Sequence, residues 1–223
     1  MPVTDRLWGR RVLIAGEDGR LADRLGAVFL SFGAVLEVLS AETADGTGIA
    51  RLAAKELGRI DVLVNTGLPT APEEGAQPLA IGRDVERALA RSMTLLVTTT
   101  EAALLAMHAG ASIINSVAYS SPGLVLTRGQ EALATAVLET TQGWAQSLAP
   151  RHIRVNAIVG GPRWDPLMEG RVDGNGRRKR PNDAEELDAF VYLASRSSYH
   201  VSGSVLAVAR ALTRREVEPF TER

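Results

Sequence analysis

Cysteine is missing altogether, lysine occurs only as Lys55 and Lys179, histidine occurs three times, and aromatic residues make up 4% of the chain. Without cysteine there is no disulfide, no thiolate zinc site and no thiol catalyst. Three scattered histidines without ligand spacing offer a metal nothing either. Charge of one sign is also lacking. The 25 basic residues stand against 26 acidic ones, a formal net charge of −1, so the basic field that nucleic-acid binding depends on is absent and no such partner is expected. The segment from Met1 to Arg6 has no apolar h-region, and no later run reaches the roughly 18 apolar residues of a spanning helix. The expectation is a chain that stays off membranes, in a reducing, cytoplasmic setting.

What is present suits one domain. The 223 residues are 45% hydrophobic and 23% charged, an ordinary composition for a globular protein and too short for a second full domain. Nearly continuous apolar runs mark six strands at Arg11–Ala15, Ala34–Leu39, Asp61–Asn65, Ala111–Asn115, Arg154–Ile158 and Ser204–Val208. Helical patterns at Leu21–Phe32, Gly48–Leu57, Ile81–His108, Gln130–Ala149 and Asp183–Ala194 alternate with them. Strands apolar on both faces, separated by helices, predict an α/β fold: a Rossmann-like, doubly wound parallel sheet of about six strands. Turn signals sit near Pro69 and at Ser120–Gly123, and the Gly- and Arg-rich stretch Gly170–Arg180 is read as a mobile surface loop.

Four stretches carry a resemblance. Val12-Leu-Ile-Ala-Gly16 precedes a helix; Asp61-Val-Leu-Val-Asn65 follows; then come Ile153-Arg-Val-Asn-Ala157 with Gly160-Gly-Pro162, and Phe190-Val-Tyr-Leu-Ala-Ser195 with Gly203. In this order they resemble the short-chain dehydrogenase/reductase family over almost the whole chain. The resemblance implies a nicotinamide dinucleotide on a glycine turn after the first strand, and a tyrosine with a lysine four residues later on one helix face. The lysine lowers the tyrosine pKa so that it exchanges a proton with substrate.

Those residues are not there. The positions four residues after Tyr119, Tyr192 and Tyr199 hold Gly123, Arg196 and Gly203, and alignment on Ser147-Leu-Ala149 puts Ala134 and Leu138 where the pair belongs. Ser92 aligns with the family's helix asparagine. The family serine is Ser116 in one register and gives way to Ala118 in the other. The phosphate turn reads Ala15-Gly-Glu-Asp-Gly-Arg-Leu-Ala22: Gly16 survives, Arg20 and Ala22 replace the later glycines, and Glu17 and Asp18 put carboxylates where diphosphate charge would lie. Gly19 can shift the turn by one residue. The stretch from Gly16 to Asn65 is also short by one strand and one helix, the family's third strand, which removes a wall of the adenine pocket. Thr66-Gly67-Leu68 alters the nicotinamide side, and Glu37 lies too early to read a ribose, so it is taken as an edge carboxylate.

The expectation is a pseudoenzyme with no catalytic residue and no metal ligand. Its vestigial cofactor positions are Gly16, Gly19, Asn65 and Gly67, and it binds no cofactor itself, with NAD or NADP held by a partner. That partner is an active short-chain dehydrogenase, met through Ile81–His108 and Gln130–Ala149 with the apolar pattern Leu89, Met93, Leu96, Val97 and Leu104 in contact. The whole then resembles a heteromeric alcohol or hydroxyacyl-CoA dehydrogenase. Arg177–Arg180 has two readings, a contact for a CoA phosphate and a solvated charge run. Two alternatives stay open: a binding module reusing the fold, and an oxidoreductase with relocated groups at Ser116, Tyr119 and Arg128.

Overall fold

The computed structural model describes residues 6–16, 19–40, 46–66, 83–117, 128–160 and 183–208. Six strands, β1 (Arg11–Gly16), β2 (Val35–Ser40), β3 (Ile60–Thr66), β4 (Met107–Val117), β5 (Arg154–Gly160) and β6 (Val205–Val208), form one parallel sheet in the order β2-β1-β3-β4-β5-β6. Five helices connect them: α1 (Gly19–Ser31), α2 (Gly46–Leu57), α3 (Arg83–Ala103), α4 (Arg128–Leu148) and α5 (Asp183–Ala194). The expected six-stranded, doubly wound sheet is therefore present. Among the described residues no strand lies outside β2, in keeping with the deletion read from chain length.

The apolar strands separate two layers because successive side chains point to opposite faces. Val12, Ile14, Val64 and Ile114 face α1 and α5 through Leu25, Phe29, Phe190 and Val191. Leu13, Leu63, Ile113 and Val155 face the other layer through Ala53, Ala103 and Leu148. Phe29 and Phe190 are wholly buried, each contributing about 1.5–3 kcal/mol from removal from water.

One expected boundary needs correction. The helix placed at Ile81–His108 ends at Ala103, and the chain turns through Leu104, Leu105 and Ala106 into β4, which starts at Met107 instead of Ala111. Leu104 and Leu105 extend the apolar period, but the sheet competes for the chain. Ala106 accepts a hydrogen bond from the Ile60 amide at 2.9 Å, Met107 is buried beside Ile60, and Leu105 is left 86% exposed. A register shift between Ile60 and Val62 absorbs the early start.

The stretch Ile153–Asn156 works in the scaffold. Arg154 is buried and donates to the carbonyls of Leu193 (3.0 Å) and Ser195 (3.3 Å) and to the Ser198 hydroxyl (2.8 Å), while Arg10 donates to the Ala194 carbonyl at 3.3 Å. Two guanidinium groups thus hold the carbonyl end of α5, where unsatisfied acceptors and the helix dipole favour a cation. Burial and the neighbouring Arg10 lower the pKa of Arg154 to about 10; burial lowers that of Arg10, partly countered by Asp61. Asn156 donates to the Val201 carbonyl and accepts from the Ser204 amide, fixing the approach to β6.

Candidate functional site

In an open parallel sheet, ligands bind beyond the carboxyl ends of the strands where the order reverses, here between β1 and β3. Gly16 ends β1 at that point, with φ of +149°, paired with Thr66. A β-carbon on Gly16 would lie 1.5 Å from the Thr66 carbonyl oxygen. The glycine is therefore required by the contact between two strand ends, and the Thr66 hydroxyl bonds across the same gap to the Ala15 carbonyl at 3.4 Å. Ala22, in place of the third glycine, is buried in the layer beneath α1. Gly19 opens α1.

Beside this contact lies a buried polar ladder that sequence reasoning missed. Asn65 on β3 and Asn115 on β4 are register partners, and the Asn65 amide donates to Asn115 Oδ1 at 2.8 Å and to Thr100 Oγ1 at 3.2 Å. Asn115 in turn donates to Thr141 Oγ1 (2.9 Å), which donates to the Val137 carbonyl (2.7 Å). The ladder ties β3, β4, α3 and α4 together and leaves Asn65 committed to the scaffold. Its sequence signal was two strands each ending in asparagine, facing a Thr98-Thr99-Thr100 run. Thr99 is 1% exposed, and its hydroxyl has no hydrogen-bond partner.

Gly16, Asn65, Ser92 and Ser116 do come together around one cavity, with Thr99, Asn115, Leu95, Leu96 and Val137 completing much of its lining, and its volume is about 20 Å³. That is room for about one water molecule, whereas small-molecule sites span roughly 300–1,000 Å³. Ala134 and Leu138, at the positions of the missing tyrosine and lysine, pack with Met93 against an apolar cluster of Leu96, Val117 and Val137. Neither supplies a proton donor or a cation. Among the described residues, Gly16 is held in the strand contact, Asn65, Asn115 and Thr141 are bonded in one ladder, and Ala134 and Leu138 stand where the proton-transfer pair belongs.

Several expected positions lie outside the described residues: Gly67, Ala118, Tyr119, Arg177–Arg180 and the side chain of Arg128. The pair Tyr192 and Arg196 sits at the opposite end of the sheet, where Arg196 bears on Arg10. Glu37 is half-buried on the edge strand β2, as an edge carboxylate. Of the apolar pattern expected to meet a partner, Met93, Leu96 and Leu104 pack on their own chain, and the side chain of Leu89 lies outside the described residues. Leu96 is 6% exposed in the cluster just described, Met93 packs on it, and Leu104 packs on the layer of Leu63 and Ile113. Over the described side chains, the exposed residues of α3 and α4 include Thr94, Glu101, Thr135, Glu139, Gln142 and Gln146, so the outer face of that part of the helix pair is polar.

Comparison with known proteins agrees with the architecture. The sequence model of the family described as enoyl-(acyl carrier protein) reductase matches residues 9–210. Glucose and ribitol dehydrogenase homolog 2 of Arabidopsis thaliana is 36% identical over 163 residues, 67% of this chain and 55% of that protein. An uncharacterized oxidoreductase of Bacillus subtilis, YhdF, is 28% identical over 161 residues, 68% of this chain and 55% of its own length. The chain thus spans about half the length of the curated relatives it matches. Among solved structures, a short-chain dehydrogenase/reductase from Serratia marcescens superposes with a TM-score of 0.70 at 21% identity, covering 91% of this chain and 97% of that one. One from Burkholderia cenocepacia in complex with NADP gives 0.70 at 17% identity, with the same coverage.

Proposed function

The chain belongs to the short-chain dehydrogenase/reductase family, and from that premise we propose that it is a catalytically silent subunit supporting an active relative in a heteromeric NAD(P)-dependent dehydrogenase. The observation that carries this reading is the packing of Ala134 and Leu138 into an apolar cluster beside a cavity of about 20 Å³. The family places its proton-transfer pair there, and hydrocarbon transfers no proton. In this reading the chain binds neither NAD nor NADP, and the partner holds the cofactor. Assembly runs through the outer faces of α3 and α4, whose small and polar residues fit an assembly of folded subunits more than a shared hydrophobic core. The alcohol or hydroxyacyl-CoA nature of the substrate belongs to the partner.

Two measurements test the proposal together. In calorimetric titration of the isolated chain with NAD and with NADP, no saturable binding tighter than about 100 µM, roughly −5.5 kcal/mol, is expected. Co-expression with a family member from the same source that has an intact Tyr-x-x-x-Lys should then give a co-purifying complex whose turnover depends on this chain. Tight dinucleotide binding, or turnover by the isolated chain, overturns the reading and favours relocated catalytic groups around Ser116.

A further inference from the structure

We propose that the open edge of β2 is a self-pairing surface, on which a second copy of this chain adds its own β2 antiparallel about a twofold axis at Val38. The argument starts from hydrogen-bond direction. The Val35 amide donates to the Arg10 carbonyl at 2.8 Å, so Val35, Glu37 and Leu39 direct their backbone groups toward β1. Backbone groups alternate along a strand, which leaves those of Leu36, Val38 and Ser40 directed outward, away from β1. Among the described residues no strand takes them.

These three outward residues are symmetric about Val38. A twofold axis there pairs Val38 with Val38 of the second copy, Leu36 with Ser40, and Glu37 with Leu39. No charge then faces a like charge across the junction, the arrangement that destabilises paired strands. An axis at Glu37 instead sets two carboxylates opposite each other, and the axis at Val38 is the one that pairs all three outward residues within β2.

Exposed hydrophobic area collects at the same edge. Of the nine large apolar residues left exposed among those described, five lie on or around β2. Val35 (49% exposed) and Val38 (39%) are on the strand, Leu30 and Leu52 are on the helices α1 and α2 that pack on it, and Trp8 lies against Gly33 just before it. Leu36 and Val38 lie on the α1 side, over Gly26, whose missing side chain leaves room at the strand. An unprotected apolar edge is the ordinary template for strand addition. The second copy is the occupant that supplies the same register, the same apolar rim and the same charge pattern at once.

The test is a charge swap on the full-length chain. Equilibrium sedimentation of the unmodified protein should give twice the 23.8 kDa of the chain. Val38→Lys and Val38→Glu, each at an exposed position and each checked for folding by circular dichroism, should separately weaken the dimer by about tenfold or more. An equimolar mixture of the two should restore it, because only a residue on the axis faces its own copy. A monomeric unmodified protein at about 100 µM overturns the proposal. So does a Val38→Lys protein that dimerises undiminished, which would place the contact on another surface, such as the outer faces of α3 and α4, or a monomer that gains mass only with an added extended peptide.

Discussion

At the amino end of the parallel sheet, Arg154 and Arg10 reach across to the carbonyl end of α5 and Asn156 fixes the approach to β6. At the carboxyl end, where relatives of this fold bind their dinucleotide, two strand ends touch at Gly16 and Thr66, hydrocarbon from α3 and α4 fills the space, and the Thr99 hydroxyl has no partner. Side chains at one end bridge helix to sheet, and those at the other, where the family's proton-transfer pair would lie, are apolar at Ala134 and Leu138. Ile153-Arg-Val-Asn156, where the chain resembles its family, holds helix to sheet and is fixed by the scaffold whatever the far end does.

The comparison breaks most visibly at Gly16. Gly16→Ala puts a β-carbon 1.5 Å from the Thr66 carbonyl at a backbone angle that L-residues rarely adopt, and the strand ends must separate. Strain and overpacking together should cost about 3 kcal/mol or more, read as a fall in the urea midpoint at unchanged slope. If Gly16→Ala is well tolerated, the strand ends are looser than described, the crevice can open, and the glycine is free to face a ligand. At the other end, Arg154→Met removes the charged donor that ties the Leu193 and Ser195 carbonyls and the Ser198 hydroxyl together, leaving those acceptors only the Ser112 and Ser198 hydroxyls, and should cost about 2 kcal/mol, with Arg154→Lys losing less. The pH dependence of the unmodified protein has a fixed sign here. Burial and the neighbouring Arg10 hold the folded Arg154 below the ordinary arginine range, at about 10, so it keeps its proton less firmly than in the unfolded chain. The stability tied to it therefore rises as pH climbs above about 10 and is level below it. A loss of stability in Arg154→Met as small as that of a surface substitution would remove the contrast between the two ends.

The six parallel strands were legible because apolar runs of strand length alternate with helical periods, the pattern of a parallel sheet, and the open, doubly wound form was what the family resemblance implied. The absent Tyr-x-x-x-Lys and the shortened span before Asn65 were legible as well, being matters of spacing. The end of α3 was not, since Leu104 and Leu105 continue the helical period and only the pairing of Met107 with Ile60 stops it. Nor was the direction of Leu96: an apolar stripe on a long helix reads the same whether its own chain or a partner covers it, and here Val117 and Val137 cover it. The Asn65–Asn115–Thr141 ladder was hidden for a different reason. It depends on side chains from three elements meeting, and strand-end asparagines are read first as turn formers.

The smallest expected effect sharpens the comparison most. Thr99 is 1% exposed, and its hydroxyl, beside the cavity of about 20 Å³, has no hydrogen-bond partner. A buried hydroxyl without a partner pays its desolvation with no bond in return, and Thr→Val removes that hydroxyl while keeping the shape. Most core substitutions destabilise, but Thr99→Val should stabilise by about 1 kcal/mol, a rise in Tm of roughly 2–4 °C for a chain of this size. The Thr100→Val variant supplies the control, because the Thr100 hydroxyl accepts from Asn65 and its loss strips a buried amide of a partner; it should be destabilising. If both variants lose stability alike, the Thr99 hydroxyl is bonded, and the cavity holds a polar guest able to bond it. The carboxyl end of the sheet would then hold a small polar guest, and the contrast with the amino end would narrow to the apolar packing of Ala134 and Leu138 alone.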